Sequence, residues 1–164
     1  MKKILTAVIF TLLVSLSVFA QKTPDARDAA AVVDKLFAEM ASHNPAGVAD
    51  QFTKDSNLTA VIRTKDGKFV VRSFSGEAFS KNFAEKKNEI KEDMYDREIE
   101  AFDNLVLVYG RYVFFVDGKV SHCGVNAFQL VKTEAGWKIA NASSTIDPTA
   151  CTEKEKKRKA DAGK

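Results

Sequence analysis

Residues 120–151 read V-S-H-C-G-V-N-A-F-Q-L-V-K-T-E-A-G-W-K-I-A-N-A-S-S-T-I-D-P-T-A-C. The pattern predicts two long β-strands about a Glu134-Ala135-Gly136 turn, because apolar residues recur with a period of two. That period places Val120, His122, Gly124, Asn126, Phe128 and Leu130 on one face of the first strand. On the second strand, Trp137 and Ile139 share a face that continues through Asn141, Ser143 and Thr145. A face that begins apolar and ends in imidazole, amide and hydroxyl groups has the composition of a pocket lining.

Upstream of this pair the same period predicts strands over 94–102 and 105–116, and Asp117-Gly118 supplies a tight turn into the strand over 119–132. Strands joined by turns this short are antiparallel neighbours. Further back the period changes to that of a helix, where Ala29, Val32, Val33, Leu36, Phe37 and Met40 form one apolar stripe. His43-Asn44-Pro45 breaks that helix, and Asn44 is the expected cap of a short second one that carries Val48 and Phe52 inward. L-T-A-V-I-R-T and K-F-V-V-R, joined through Lys65-Asp66-Gly67, predict a hairpin. A third helix is expected over 75–90, with Phe79 and Phe83 on one face. The order is helix, helix, two strands, helix, four strands. It specifies an α+β domain in which three helices cover one face of a curved antiparallel sheet.

The ends of the chain are different in kind. Lys2 and Lys3, an apolar run from Ile4 to Val18 and small residues up to Ala20 form the pattern of a signal peptide over 1–20. The product is then exported, either periplasmic or secreted, with no membrane association once the signal is removed. The domain is expected over 21–151. Residues 152–164 lack large apolar side chains and are expected to be a solvated basic tail. The whole chain carries a formal +3; removing Lys2, Lys3 and the tail's net +3 leaves the body at about −2. Such a body has no basic face for nucleic acid.

Cys123 and Cys151 are the only cysteines, and in an exported chain an even pair reads first as a disulfide, with two free thiols as the alternative. His43 and His122 are far apart, the cysteines make no zinc spacing, and no glycine-rich phosphate loop is present, so neither a metal nor another cofactor is expected. His122 is the one candidate general base, and Tyr95 and Tyr112 are candidate phenolic donors to a ligand.

The helix-helix-hairpin-helix-meander order, the closing G-W-K-I and the S-H-C-G-V-N-A-F-Q-L-V strand resemble the nuclear transport factor 2-like superfamily. The likeness is to its bacterial SnoaL-like and lumazine-binding types, and it covers nearly all of the chain after residue 20. It implies a cone-shaped, cystatin-like fold that hosts isomerases, dehydratases, epoxide hydrolases and domains without chemistry. The catalytic sets do not carry over residue by residue. Helix one has no tyrosine for a ketosteroid isomerase-like oxyanion site, His43 at a helix break and His122 fall short of a scytalone dehydratase-like set, and Asp93, Asp96 and Arg97 alternate faces where an epoxide hydrolase-like relay needs one. The resulting expectation is a protein that binds a small, partly apolar molecule through Tyr95, Tyr112, His122, Asn126, Asn141, Ser143 and Thr145. Two alternatives stand beside it: an enzyme using His122, and a homodimer formed through the outer sheet face by Leu105, Leu107, Tyr109 and Val113.

Overall fold

The computed structural model describes residues 24–158; the expected signal peptide and the last residues of the tail lie outside the described residues. Helix α1 (Pro24–Ala41) and α2 (Pro45–Asp50) are followed by strands β1 (Phe52–Arg63) and β2 (Phe69–Phe74). Then come a short α3 (Gly76–Ser80) with a 3-10 turn (Lys81–Phe83), the meander β3 (Ile90–Phe102), β4 (Leu105–Val116), β5 (Lys119–Thr133) and β6 (Gly136–Ile146), and a single-turn α4 (Glu153–Lys156). The six strands form one sheet in the order β2-β1-β6-β5-β4-β3. All neighbours are antiparallel except β1 and β6, which run parallel, so the sheet is mixed.

The helices do what their stripes require. Ala29, Val33, Leu36, Phe37 and Met40 of α1 are buried against Val106, Val108, Tyr112, Phe128, Leu130, Trp137 and Ile139 of the sheet. Asn44 caps α2 by accepting from the Gly47 amide at 3.1 Å. The third helix is shorter than its expected 75–90: it gives way to the 3-10 turn, and β3 starts at Ile90. Ser75 caps it, with its hydroxyl accepting from the Ala78 amide at 3.1 Å, but K-K-N-E adds no apolar residue to bury and nothing to hold a further turn.

Three bulges curve the sheet and decide which side chains enter the cone. In β3, Asp96 and Arg97 together face Gly110, with Asp96 at φ 49. In β5, Ser121 is the extra residue between His122, opposite Phe114, and Val120, opposite Phe115. In β6, Ala140 is extra between Ile139, opposite Leu130, and Asn141, opposite Gln129. The expected type of turn is present at Asp117-Gly118, where both residues have positive φ, 49 and 72. Gly124 is required for another reason: a Cβ there would stand 1.9 Å from the Thr145 carbonyl oxygen, where β6 closes over β5.

The outer face of the sheet is covered at one end. Cys123 and Cys151 form a disulfide, and with Val113 and Phe115 they build a second, small apolar cluster. The chain then continues into α4 through a capping box, in which the Thr152 hydroxyl accepts from the Glu155 amide and the Glu155 carboxylate accepts from the Thr152 amide. Glu155, 2% exposed, also takes a hydrogen bond from the Tyr95 hydroxyl and two-pronged hydrogen bonds from Arg111 at 2.8–3.1 Å. Arg158 pairs with Asp93 and stacks over the Tyr95 ring. Thr152–Arg158 are therefore docked rather than solvated. The expectation of a free tail from residue 152 fails here because one acidic residue inside the basic run finds three donors on the sheet. Val113, expected on an open outer face, lies under this segment and is fully buried.

Candidate functional site

Between α1, α3 and the concave face of the sheet lies a cavity of about 90 Å³. Its walls are aromatic and aliphatic: Phe37 and Met40 of α1, Phe52 and Leu58 of β1, Phe74 of β2, Phe79 of α3, Phe128 of β5 and Ile146 of β6. Phe79 stacks on Phe74 with ring centres 6.0 Å apart and meets Phe52 edge-on at 6.1 Å. Against this background three polar side chains stand in a row. The Ser144 hydroxyl donates to Asn126 Oδ1 at 2.7 Å, and Asn126 Nδ2 donates to Glu92 Oε1 at 2.5 Å. Both ends of the Asn126 amide are thus committed, which fixes its orientation. Glu92 Oε2 has no hydrogen-bond partner among the described residues.

Glu92 is the one ionisable residue in the cavity lining. Burial raises its carboxyl to about 7, against opposing pulls from the Asn126 hydrogen bond and the charge of Arg97. The Arg97 guanidinium is not free to neutralise it. It donates to Asp34 at 2.5 Å and to the Met94 carbonyl at 3.2 Å, and it lies over the Phe37 ring. Near neutral pH the carboxyl therefore exchanges readily between donor and acceptor forms.

Of the side chains singled out from sequence, Asn126 enters this cavity, with 2% of its surface exposed. Tyr112 is on the same face but packed in the core, donating to the Thr145 carbonyl at 2.8 Å; burial, then the nearby Glu92, pushes its phenol up. His122 stacks on Phe114 with centres 4.9 Å apart and meets Tyr112 edge-on at 5.8 Å, outside the cavity lining. Burial lowers its pKa, which favours the neutral ring. Val120, expected beside His122, joins the outer cluster because the Ser121 bulge reverses it.

The Ala140 bulge has the larger consequence. It turns Asn141, Ser143 and Thr145 outward and brings Ala142, Ser144 and Ile146 into the cone. Asn141 donates to Gln129 at 2.6 Å on the outer face, where it and Ser143 edge a shallow depression with Leu107 and Tyr109. The Thr145 hydroxyl accepts from the Val125 amide at 2.9 Å. Tyr95 belongs to the Glu155 cluster on the far side of the sheet from the cone. Asp93 and Arg97 part company as well, one pairing with Arg158 and the other with Asp34. Sequence reading missed Glu92 and Ser144. The signal for Glu92 was I-K-E-D-M, where Ile90, Glu92 and Met94 alternate inward at the start of β3, four residues earlier than expected. Ser144 carried no signal, since nothing in A-N-A-S-S-T marks the bulge.

Comparison with solved structures decides the fold. A Novosphingobium aromaticivorans nuclear transport factor 2-like protein with a cystatin-like fold superposes with a TM-score of 0.63 at 9% identity, covering 82% of this chain and 89% of that one. The fold is nuclear transport factor 2-like. A Shewanella baltica protein of the same type gives a TM-score of 0.56 at 13% identity over 75% and 94% of the two chains. A Xanthomonas campestris protein named for a calcium/calmodulin dependent protein kinase II association domain gives 0.58 at 27% identity over 76% and 89%. No family model matches the chain, and no curated protein matches it in sequence. Within the nuclear transport factor 2-like cone, Glu92, Asn126 and Ser144 occupy the concave side of the sheet under α1 and α3. Among the described residues no group of three metal-ligating side chains converges, and no helix is long and apolar enough to cross a membrane.

Proposed function

We propose that this protein binds a small, partly apolar molecule in its cone, held by the Glu92-Asn126-Ser144 row. The observation that carries the reading is that row itself. Glu92 is half-buried, and its second oxygen is left without a protein donor in a lining that is otherwise mostly apolar, so it is the group there with capacity for a polar partner. The cavity, about 90 Å³, is smaller than the roughly 150 Å³ of an apolar cavity that holds benzene. It suits a compact ligand or the head of a larger one that leaves past the half-buried Phe74, Phe79 and Ile146. A catalytic version of the reading turns on Glu92 as acid or base, because His122 is outside the lining. The disulfide supports an exported, periplasmic or secreted setting for this activity. A screen of small compounds by thermal shift, followed on the Asn126 side-chain amide by NMR, tests the proposal. Stabilisation with a shift of that amide is expected, and a silent screen contradicts the proposal.

A second reading is self-association through the outer sheet face. The similarity to the Xanthomonas association domain supports it, and so do Val125, Val71 and Phe69, at 40%, 63% and 67% exposure. Light scattering at high concentration checks it: a dimer is expected, and a monomer at all concentrations removes the reading.

A further inference from the structure

We propose that the ligand of the cone is a base: a compact apolar molecule carrying a protonatable nitrogen that is received by Glu92 Oε2. The inference rests on the cone being a binding site and names the chemical class that the site selects.

Four observations lead to it. Glu92 is the sole charge-bearing side chain of the lining, so the cavity has nothing to hold a carboxylate or phosphate and one group that repels it. The ionisable groups near Glu92 are already engaged: Arg97, on its own strand, is held by Asp34 of α1, and the Tyr112 hydroxyl, on β4, donates to a backbone carbonyl. Asn126 Nδ2 reaches Glu92 Oε1 alone, which leaves Oε2 as the free acceptor of a residue that lines the cavity. Five phenylalanines, Phe37, Phe52, Phe74, Phe79 and Phe128, stand among the aliphatic walls, and phenyl rings attract cations through their faces without adding a competing charge. A neutral alcohol gains one ordinary hydrogen bond in such a site, whereas an ammonium gains a charge-assisted one in a medium of low dielectric.

Proton balance is simple. An amine that enters neutral takes the proton of the neutral Glu92 carboxyl, giving ammonium and carboxylate; one that enters as ammonium pairs directly with the ionised carboxylate, and a neutral carboxyl must first release its proton to solvent. In the second case binding weakens as pH falls below about 7, where burial holds Glu92 protonated.

The test uses the full chain and three compounds of one shape: isobutylamine, isobutanol and isobutyrate, titrated by NMR on the Asn126 side-chain amide. The amine is expected to bind at least about tenfold tighter than the alcohol, with isobutyrate weakest. Glu92→Gln should bring amine and alcohol within about threefold of each other. Lowering the pH from about 8 to about 6 should weaken the amine about tenfold and leave the alcohol unchanged. These ligand and pH comparisons are made on the natural chain, so the outcome does not depend on the variant folding. If the alcohol binds as tightly as the amine, or isobutyrate binds best, the ligand class is wrong while the cone remains a binding site. If none of the three moves the amide, both readings fall.

Discussion

Glu92, half-buried, and Glu155, buried, lie on opposite faces of one sheet, and their surroundings drive them in opposite directions. Burial pushes both up. At Glu155 that push is outweighed by hydrogen bonds from Tyr95, from the Thr152 amide and side chain and from Arg111, and the carboxyl falls to about 2. At Glu92 a single amide and a distant, engaged arginine do not compensate, and it rises to about 7. Glu155 is satisfied and fastens the C-terminal segment to the fold. Glu92 is left with capacity to spare, and it faces the molecule's cone cavity. A buried carboxyl whose donors are complete is structural; one whose donors are incomplete points to a partner from outside.

The largest expected effect lies on the clamped side. Cys123→Ser with Cys151→Ser should lower unfolding free energy by about 3 to 4 kcal/mol in the chain-entropy account, read from urea melts, because the disulfide closes a loop of 28 residues. Next is Glu155→Gln, expected to cost about 2 kcal/mol, since it leaves Arg111 without its carboxylate and the capping box half made. The Arg111 side chain is 40% exposed, which holds the cost below that of a fully buried pair.

The two glutamates should also part in their response to pH. Glu155 has a lowered folded pKa, so its contribution is present above about 4.5 and is lost as pH falls toward about 2. Glu92 has a raised folded pKa. The folded state binds the extra proton between about 4.5 and about 7, so the natural chain loses stability as pH rises through that window. Glu92→Gln should therefore be more stable than the natural chain by about 1 to 2 kcal/mol at pH 8, with the gain fading below pH 4.5, as seen in melts at both pH values. A variant less stable than the natural chain at pH 8 would break the contrast. The smallest effect belongs to Ser143→Ala on the outer face, expected within about 0.5 kcal/mol and without influence on cone binding.

These contrasts also show what the sequence made legible. The apolar stripe of α1, the meander and the Asp117-Gly118 turn follow from periodicity and turn chemistry, because those signals are local and repeated. The cysteine pairing followed from an expected export and an even count. Facing failed wherever one extra residue interrupted a strand, since a bulge at Ala140 or Ser121 puts the side chains on its two sides out of step and leaves no mark in composition. Asn126 was placed correctly because no bulge separates it from Phe128, whereas Ser143 and Thr145 were exchanged for Ser144. Glu155 was hidden for another reason. Its partners Tyr95 and Arg111 lie 60 and 44 residues away, and a carboxylate in a lysine-rich tail reads as solvated until those donors are seen.

The most direct test is the titration of the Glu92 side-chain carboxyl, followed by carbon-detected NMR and assigned through Glu92→Gln. A midpoint near 7 that moves downward when isobutylamine is added is the predicted result. A midpoint near the ordinary glutamate value of about 4.3, unmoved by the amine, would contradict the assignment of the cone as the working site of this protein.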